Sequence, residues 1–428
     1  MSALELAQQL NIIYPSNEIY NYPAGFYNYG PIGLRIKNKI IDLWRKHFIY
    51  KNNFIEIETT IVTPEIVLKA SGHYESFTDP LVKCKSCGKI YRADKLAEAQ
   101  NLPWNNDVIN HLRCECGEKF DKIENVNLMF KTGIGYDQDP AYLRPETAQG
   151  IFVDYPRLAN RIPIAIAQVG KSFRNEISPR QGLLRLREFY QMEIEYFFEK
   201  PEFPGFDRYA NKKFRLKIDN QIKEYTAKEF LEIMDNEIMA AFLAMEWEFY
   251  TKLGIKEDSM WIRMLNKDEV PHYSKGNFDV EVQTQYGIIE IAGNAYRTNY
   301  DLSRHKQYSG KNLKVVNVVE ASLGLERLFY VILEQSYSKD RFNFPEPIKP
   351  YKAGLFSLTN EDLSWVNEMF DYELYYMNWK GEAIKKINKA MQYGIDKFII
   401  KDLEGFTFYD GKNRRMKLED IKLLMANR

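Results

Sequence analysis

Residues 165–198 read AIAQVGKSFRNEISPRQGLLRLREFYQMEIEYFF, and apolar and polar positions alternate with a period of two on both sides of a polar interruption at Ser178, Pro179 and Gly182. That pattern predicts two strands joined by a loop. On the first strand, Arg174 and Glu176 fall on one face. On the second, Arg185, Arg187, Phe189, Gln191, Glu193 and Glu195 share a face, while Leu184, Leu186, Tyr190, Met192, Ile194 and Tyr196 take the other, interrupted by Glu188. Upstream, RIKNKIIDLWRKHFIY (35–50) has Ile36, Ile40, Leu43 and Trp44 at helical spacing, and FIEIETTIVTP (54–64) predicts a strand that Pro64 ends. Downstream, KEFLEIMDNEIMAAFLAMEWEFYTKLG (228–254) predicts one helix with a packed face of Phe230, Leu231, Ile233, Met234, Ile238, Phe242, Leu243 and Met245. Residues 277–302 predict a hairpin turning near 285–287, and VVNVVEASLGLERLFYVILEQ (315–335) predicts a strand running into a helix. Past a proline-rich linker at 344–350, the pattern predicts a strand in KAGLFSL, helices over 362–379 and 380–395, and strands in DKFIIKD and GFTFYDG, a small α/β unit.

Composition changes the picture little. The 428 residues suffice for two or three domains, and 45% hydrophobic content for large cores. Lys plus Arg equals Asp plus Glu at 59 each, so any polyanion would have to be met by a local basic patch. No run is long and apolar enough for a membrane span, and MSALELAQQLNIIYPSNEIY carries Glu5 and no basic n-region, against a signal peptide. The four cysteines all lie between 84 and 116, against a disulfide-built secreted fold. A soluble cytoplasmic protein with no membrane partner is the expectation.

The candidate chemistry sits on the 165–198 hairpin. Arginine forks suit phosphate oxygens, Phe189 offers a ring for a base, and Glu176 an acceptor for an exocyclic amine. Read from pattern alone, cross-strand charge pairs on a solvated face account for it equally well. A second cluster is Cys84-Lys85-Ser86-Cys87-Gly88 with Cys114-Glu115-Cys116-Gly117, two knuckles of a zinc ribbon separated by 26 residues. His111 is an alternative ligand. The site would be closed and structural.

FRNE followed by RLREF and QMEIE resembles motif 2 of the class II aminoacyl-tRNA synthetases in its glycyl-tRNA synthetase version. Other stretches extend the resemblance. The 36–64 helix and strand resemble motif 1, and Ser71-Gly72-His73 and LRPETAQG (143–150) resemble that family's wording. Glu290, Arg297 and Asp301 stand at matching places, and VVEASLGLERL resembles motif 3.

The resemblance implies an α+β fold in which a class II antiparallel sheet is flanked by helices. It implies a catalytic core over 1–346, with a zinc-ribbon insertion at 80–127 and a helical, basic insertion at 199–277. Residues 347–428 would form a shortened α/β domain like an anticodon-binding one, where Lys385, Lys386, Lys389, Lys412, Arg414 and Arg415 offer phosphate contacts. The Lys-rich run at 212–230 is open between tRNA contact and a solvated face.

The implied activity is glycine–tRNA ligation with ATP, Mg²⁺ and structural Zn²⁺, in a homodimer joined through motif 1 with Trp44 near the interface. Arg174, Glu176 and Arg327 would be catalytic. Arg174 holds the α-phosphate, Glu176 the adenine amine, Arg185 the terminal phosphates, and Phe189 and Arg327 sandwich the base. Asn175, Leu184, Glu290, Ile291 and Gly324 complete the ATP site. Glu290 and Glu320 would hold Mg²⁺. Arg92, Glu146, Gln191, Glu193, Glu320 and Ser322 would bind glycine, Glu320 serving in both roles. Behind Pro145, Glu146 also fits as a first-turn helix carboxylate.

Overall fold

A computed structural model describes residues 1–426 except Asn21, Asn106, Ser178, Arg180, Gln181, His272 and Tyr273. The hairpin loop residue Ser178 therefore lies outside the described residues.

The alternation becomes a nine-stranded sheet. Its strands in chain order are β1 (Ile55–Ile57), β2 (Ile164–Phe173), β3 (Glu188–Phe198), β4 (Lys213–Ile218), β5 (Gln221–Thr226), β6 (Met260–Met264), β7 (Asn277–Thr284), β8 (Gly287–Thr298) and β9 (Asn317–Gly324). They lie side by side as β5-β4-β6-β7-β8-β9-β3-β2-β1. Pairing is antiparallel except between β1 and β2 and between β4 and β6. The period of two in β3 delivers two different surfaces. Met192, Ile194, Tyr196 and Phe198 pack into the main apolar core with α3 (Glu237–Lys252) and α4 (Leu325–Ser336). Phe197, on the opposite face, packs against Phe152 and Tyr155 of α2 (Ala148–Leu158). The α+β class is thus observed, with the antiparallel-rich sheet covered by helices on both faces.

Several predicted elements differ. The regular ladder stops at Phe173 and resumes at Glu188, so Arg174, Glu176, Arg185 and Arg187 lie beyond the strands, linked by the Arg174 N–H to Arg187 carbonyl bond of 3.0 Å. The single strand over 54–64 is two pieces: β1 joins the large sheet, while Val62–Pro64 pairs with Asp139–Leu143 in a separate three-stranded sheet. The helix before it, α1 (Pro31–Trp44), continues as a π-helical turn over Arg45–Tyr50. Trp44 is 2% exposed and packs on Phe48, so its side chain belongs to the core.

Residues 199–277 are not simply helical and basic, since they supply β4, β5 and β6 to the same sheet. The 228–254 helix is broken: a short piece at Ala227–Phe230 ends, and Asn236 caps α3 by accepting from the Met239 amide at 3.0 Å. Nearly all of α3 is buried, because sheet, helices and the 203–214 segment surround it.

The 344–350 linker is packed, with Phe344 and Ile348 buried and Lys349 within 3.1 Å of both Glu346 and Asp396. Beyond it, β10 (Ala353–Ser357), β11 (Leu374–Tyr376), β12 (Phe398–Asp402), β13 (Gly405–Tyr409) and β14 (Asn413–Arg415) form a five-stranded sheet ordered β11-β10-β12-β13-β14. The 362–379 helix is shorter than its pattern suggests, spanning Ser364–Met369, because LYY forms β11 parallel to β10. Phe356, Met377, Ala390, Tyr393, Ile395 and Phe398 of this region belong to the same apolar cluster as the large sheet.

Candidate functional site

One cavity of about 380 Å³ opens on the face of the large sheet that carries Phe189, Gln191 and Glu193. Arg174, Glu176, Leu184, Arg185, Phe189, Glu290, Ile291, Gly324 and Arg327 line its upper part, and Glu146, Gln191, Glu320 and Ser322 line its floor. These come from stretches far apart in the chain, converging because β8, β9 and β3 are sheet neighbours with Glu193 opposite Ser322 and Ser322 opposite Gly293.

The upper part is cationic and aromatic. The Arg174 guanidinium lies 5.2 Å from the Phe189 ring centre and donates to the Pro145 carbonyl at 3.1 Å. Arg185 stands 3.7 Å from Glu176. Arg327 donates to the carbonyls of Leu184 at 3.2 Å and Glu290 at 3.0 Å, which fixes its guanidinium between the 182–184 turn and β8.

The floor is acidic. Glu193 and Glu195 are fully buried, and Glu193, Glu195 and Glu320 offer oxygens all within 4.8 Å of one another. Arg297 is the adjoining cation, 2.9 Å from Glu320 and held by two 2.9 Å bonds to Asp301. Burial, then the charges of Glu320 and Glu146, pushes the Glu193 carboxyl up to about 8. Thr147 donates to Glu193. Burial also lifts Glu195 well above the usual carboxylate range, with Glu320 adding to it. Neither Glu195 oxygen has a hydrogen-bond partner among the described residues. Glu146 behaves oppositely. Burial raises it, but His73 at 3.2 Å, Arg297 and Gln149 outweigh burial and hold it well below that range. It precedes Thr147, the N-cap of α2, so it is not a first-turn helix carboxylate.

Some predicted residues stand elsewhere. Asn175 is tied by its amide to the Leu128 carbonyl at 2.6 Å and does not line the cavity. Arg187 turns to the Ala24 carbonyl. Arg92 pairs with Asp79 at 3.2 Å and Asp94 at 2.7 Å outside the cavity lining. Glu193 lies beneath the lining, not in it.

Other residues come into view only here. Asp279 lines the cavity, and burial followed by the Glu290 charge lifts it to about 7. Both carboxylates approach Gly293, whose Cβ, if added, would meet Asp279 Oδ1 at 3.6 Å and Glu290 Oε1 at 3.9 Å. The alternation of Asn277 and Asp279 in NFDVEVQT is the signal that points to them. His73 is held by Ser71 at 2.8 Å. The last is Glu326, in the first turn of α4.

The cysteine cluster fits a tetrahedral metal. Cys84 and Cys116 sulfurs are 3.5 Å apart, Cys87 and Cys114 3.5 Å, and Cys87 and Cys116 3.8 Å. Zn–S bonds of about 2.3 Å imply sulfur separations of roughly 3.8 Å. His111 is exposed and is not part of the four-sulfur group.

The family described as the class II core domain of tRNA synthetases (G, H, P, S and T) matches residues 130–336. The glycine–tRNA ligase of Archaeoglobus fulgidus is 41% identical over 344 residues, covering 76% of this chain and 60% of that protein. The Pyrococcus furiosus glycine–tRNA ligase is 42% identical over 386 residues, 84% of this chain and 67% of that one. The chain thus spans about three fifths of the length of the Archaeoglobus relative. In fold it is similar to prolyl-tRNA synthetase from Giardia lamblia in complex with prolyl-adenylate (TM-score 0.61, 11% identity, covering 98% of this chain and 73% of that one). It is likewise similar to a Cryptosporidium parvum structure of the RNA binding domain of threonyl-tRNA synthetase (TM-score 0.63, 15% identity, covering 100% and 98%). With this sheet, this cavity and these relatives, the chain belongs to the glycine–tRNA ligase family of class II aminoacyl-tRNA synthetases.

Proposed function

We infer that the protein activates glycine with ATP and passes it to the 3′ end of tRNA(Gly). The observation that carries this reading is one cavity with an arginine-and-ring upper part over a buried acidic floor, a shape suited to a nucleotide above and an ammonium below. The glycine carboxylate is already a nucleophile at neutral pH, so no general base is required. Its oxygen attacks the α-phosphorus, the bond to the bridging oxygen breaks, and pyrophosphate leaves with the electron pair. In the second step the terminal ribose oxygen of tRNA attacks the glycyl carbonyl and AMP leaves. The chain's part is positioning and charge neutralisation.

In this reading Arg174 spans the α-phosphate, Glu176 accepts from the adenine amine, and Arg185 reaches the terminal phosphates. Phe189 and Arg327 flank the base. Glu146, Glu193, Glu320 and Ser322 receive the ammonium. Ser322 accepts from Gln191 at 3.2 Å, which narrows the floor against any side chain larger than hydrogen. Of the proposed Mg²⁺ ligands, Glu290 is open to solvent and has Asp279 beside it, which suits an ion that keeps several waters. Glu320 is engaged by Arg297, which favours its glycine role. Bound there, Mg²⁺ would neutralise phosphate charge. Zn²⁺ on the four cysteines would hold the 80–127 insertion together.

Homodimerisation through residues 36–64 is supported by the exposed apolar side chains Ile61 and Val62. Residues 1–346 would form the catalytic core and 347–428 a tRNA-docking domain, though fewer of its basic residues are free than expected. Lys386 is buried and donates to the Met377 carbonyl at 3.0 Å, Arg414 pairs with Asp410 at 3.0 Å, and Arg415 with Asp402 at 2.6 Å. Because this region shares the main apolar cluster, deleting it would uncover core residues of the catalytic sheet. Among the described residues no helix is long and apolar enough to cross a membrane; a cytoplasmic setting is proposed from the translation role alone.

ATP–pyrophosphate exchange measured across the amino acids tests the reading. Exchange with glycine alone supports it, and exchange with another amino acid, or with none, overturns it. Elemental analysis of chelator-free protein should find one zinc per chain.

A further inference from the structure

Glu326 lies at the junction of three segments and is 5% exposed. The β3–β9 ladder ends at Gln191 opposite Gly324, where the chain turns into α4. The next amide of β3, Tyr190 N–H, faces that edge with no strand beside it. Glu326 Oε2 accepts from it at 2.8 Å. The other oxygen, Oε1, accepts from the Tyr29 hydroxyl at 3.1 Å, and the Tyr29 ring meets Phe329 of α4 edge-on at 5.1 Å. Lys37, from α1, lies over the Tyr190 ring at 4.3 Å on the same side.

The two ends of this contact each adjoin one wall of the proposed nucleotide slot. Phe189 precedes Tyr190, and Arg327 follows Glu326. We propose that Glu326 is a positioning residue for the nucleotide, setting the spacing between the Phe189 ring and the Arg327 guanidinium by clasping the open end of β3 to the first turn of α4, with Tyr29 bracing the clasp from the N-terminal segment. This deepens the ligase reading and rests on it for the identity of the nucleotide.

Removing the carboxylate leaves a part-buried amide without this partner, an effect of roughly five- to hundredfold on whatever depends on that geometry. In glycine-dependent exchange, Glu326→Ala should raise the KM for ATP at least about tenfold, while the KM for glycine stays within about twofold. Glu326→Gln should recover most of the loss, because its carbonyl accepts from Tyr190 N–H and its amide donates to the Tyr29 oxygen. Tyr29→Phe, which removes one of the two bonds, should raise the KM for ATP about threefold.

An unchanged KM for ATP in Glu326→Ala, or an equal rise for ATP and glycine, overturns the proposal. Should the alanine variant fail to fold, Glu326→Asp, too short to bridge both partners, and Tyr29→Phe decide it: normal ATP KM in both overturns it. Calorimetric titration with ATP alone separates the two readings. If the unsubstituted protein shows no glycine-dependent exchange, the ligase reading fails, and the ATP affinities of the variants still support or overturn the role of Glu326. If the unsubstituted protein does not bind ATP at all, both fall.

Discussion

The nine-stranded and five-stranded sheets are made of the same kinds of strand but differ in what they bury. At the centre of the large sheet Gln168, Gln191, Glu193, Glu195, Asn294, Arg297 and Glu320 are all buried. In the five-stranded sheet the interior is Ala353, Leu355, Leu363, Val366, Ile399, Phe408 and Ile421, and Ser357 and Lys386 are the buried polar side chains described there. Taking a carboxylate out of water costs several kcal/mol unless partners compensate. Among the described residues neither Glu195 oxygen is hydrogen-bonded, and burial, offset only in part by the Arg297 charge, keeps the group protonated well above the usual carboxylate range. The large sheet therefore holds a site that the rest of its packing must stabilise, while the small sheet is optimised as a core. The contrast marks where function sits without reference to any relative.

Substitutions can break or sharpen that contrast. The largest effect is expected at the cavity: Arg174→Ala should lower glycine-dependent exchange by about 100-fold or more, the scale of losing one transition-state donor, with little change in the unfolding midpoint. Near-normal exchange would remove Arg174 from the chemistry.

In the small sheet the effect should fall on stability alone. Leu355→Ala should lower unfolding free energy by about 2–5 kcal/mol while leaving the KM values for ATP and glycine unchanged, as denaturant titration and steady-state kinetics would record. A shifted glycine KM would mean the two sheets are functionally coupled.

Glu193→Gln should move both properties in opposite directions. Above about pH 8, where Glu193 ionises, it removes a buried charge but keeps an acceptor for Thr147, so there the melting midpoint should rise while kcat/KM for glycine falls about tenfold or more. A variant that lost stability and kept its glycine kinetics would make Glu193 a structural residue.

The smallest effect concerns a buried carboxyl away from the cavity. Glu246 of α3 is raised from 4.5 to about 8 by burial, while accepting from Asn294 at 2.8 Å. Between those values the folded chain holds a proton that the unfolded chain releases. Stability should then fall as pH rises from about 4.5 towards 8, by at most about 1.4 kcal/mol per pH unit from this group. In urea unfolding at pH 5 and pH 8, Glu246→Gln should show the shallower decline, and identical slopes would exclude Glu246 as a source.

The hairpin of motif 2, the 277–298 hairpin and the strand–helix junction at 317–336 were legible from alternation and turn residues, because one-sided burial imposes period two. Phe189, Gln191 and Glu193 could be assigned to one face for that reason. The 228–254 helix was not legible in detail. Its apolar residues continue across the break at 231–236, and the Asn236 cap is a polar residue no different in pattern from its neighbours. The LYY segment looked helical for a similar cause, since its neighbours are apolar at helical spacing and only pairing with β10 makes it a strand. Arg92, Asn175 and Arg187 show the limit at the site: a residue type suited to a ligand is equally suited to a nearby carboxylate or carbonyl.

By itself the sequence determined the two faces of each strand, the cysteine pairs that can meet as one four-sulfur cluster, and the wording that relates the chain to its family. These are local or compositional properties, set by backbone period, spacing and residue identity. Only the tertiary structure decided that Glu193, Glu195 and Glu320 would be buried together, that Arg297 would be spent on Asp301 and Glu320, and that Asp279 and Glu326 would join the cavity. Those outcomes depend on strand order and register between segments more than a hundred residues apart, such as β3 against β9. The energy of a buried charge depends on which groups stand beside it, and no period in the chain records that.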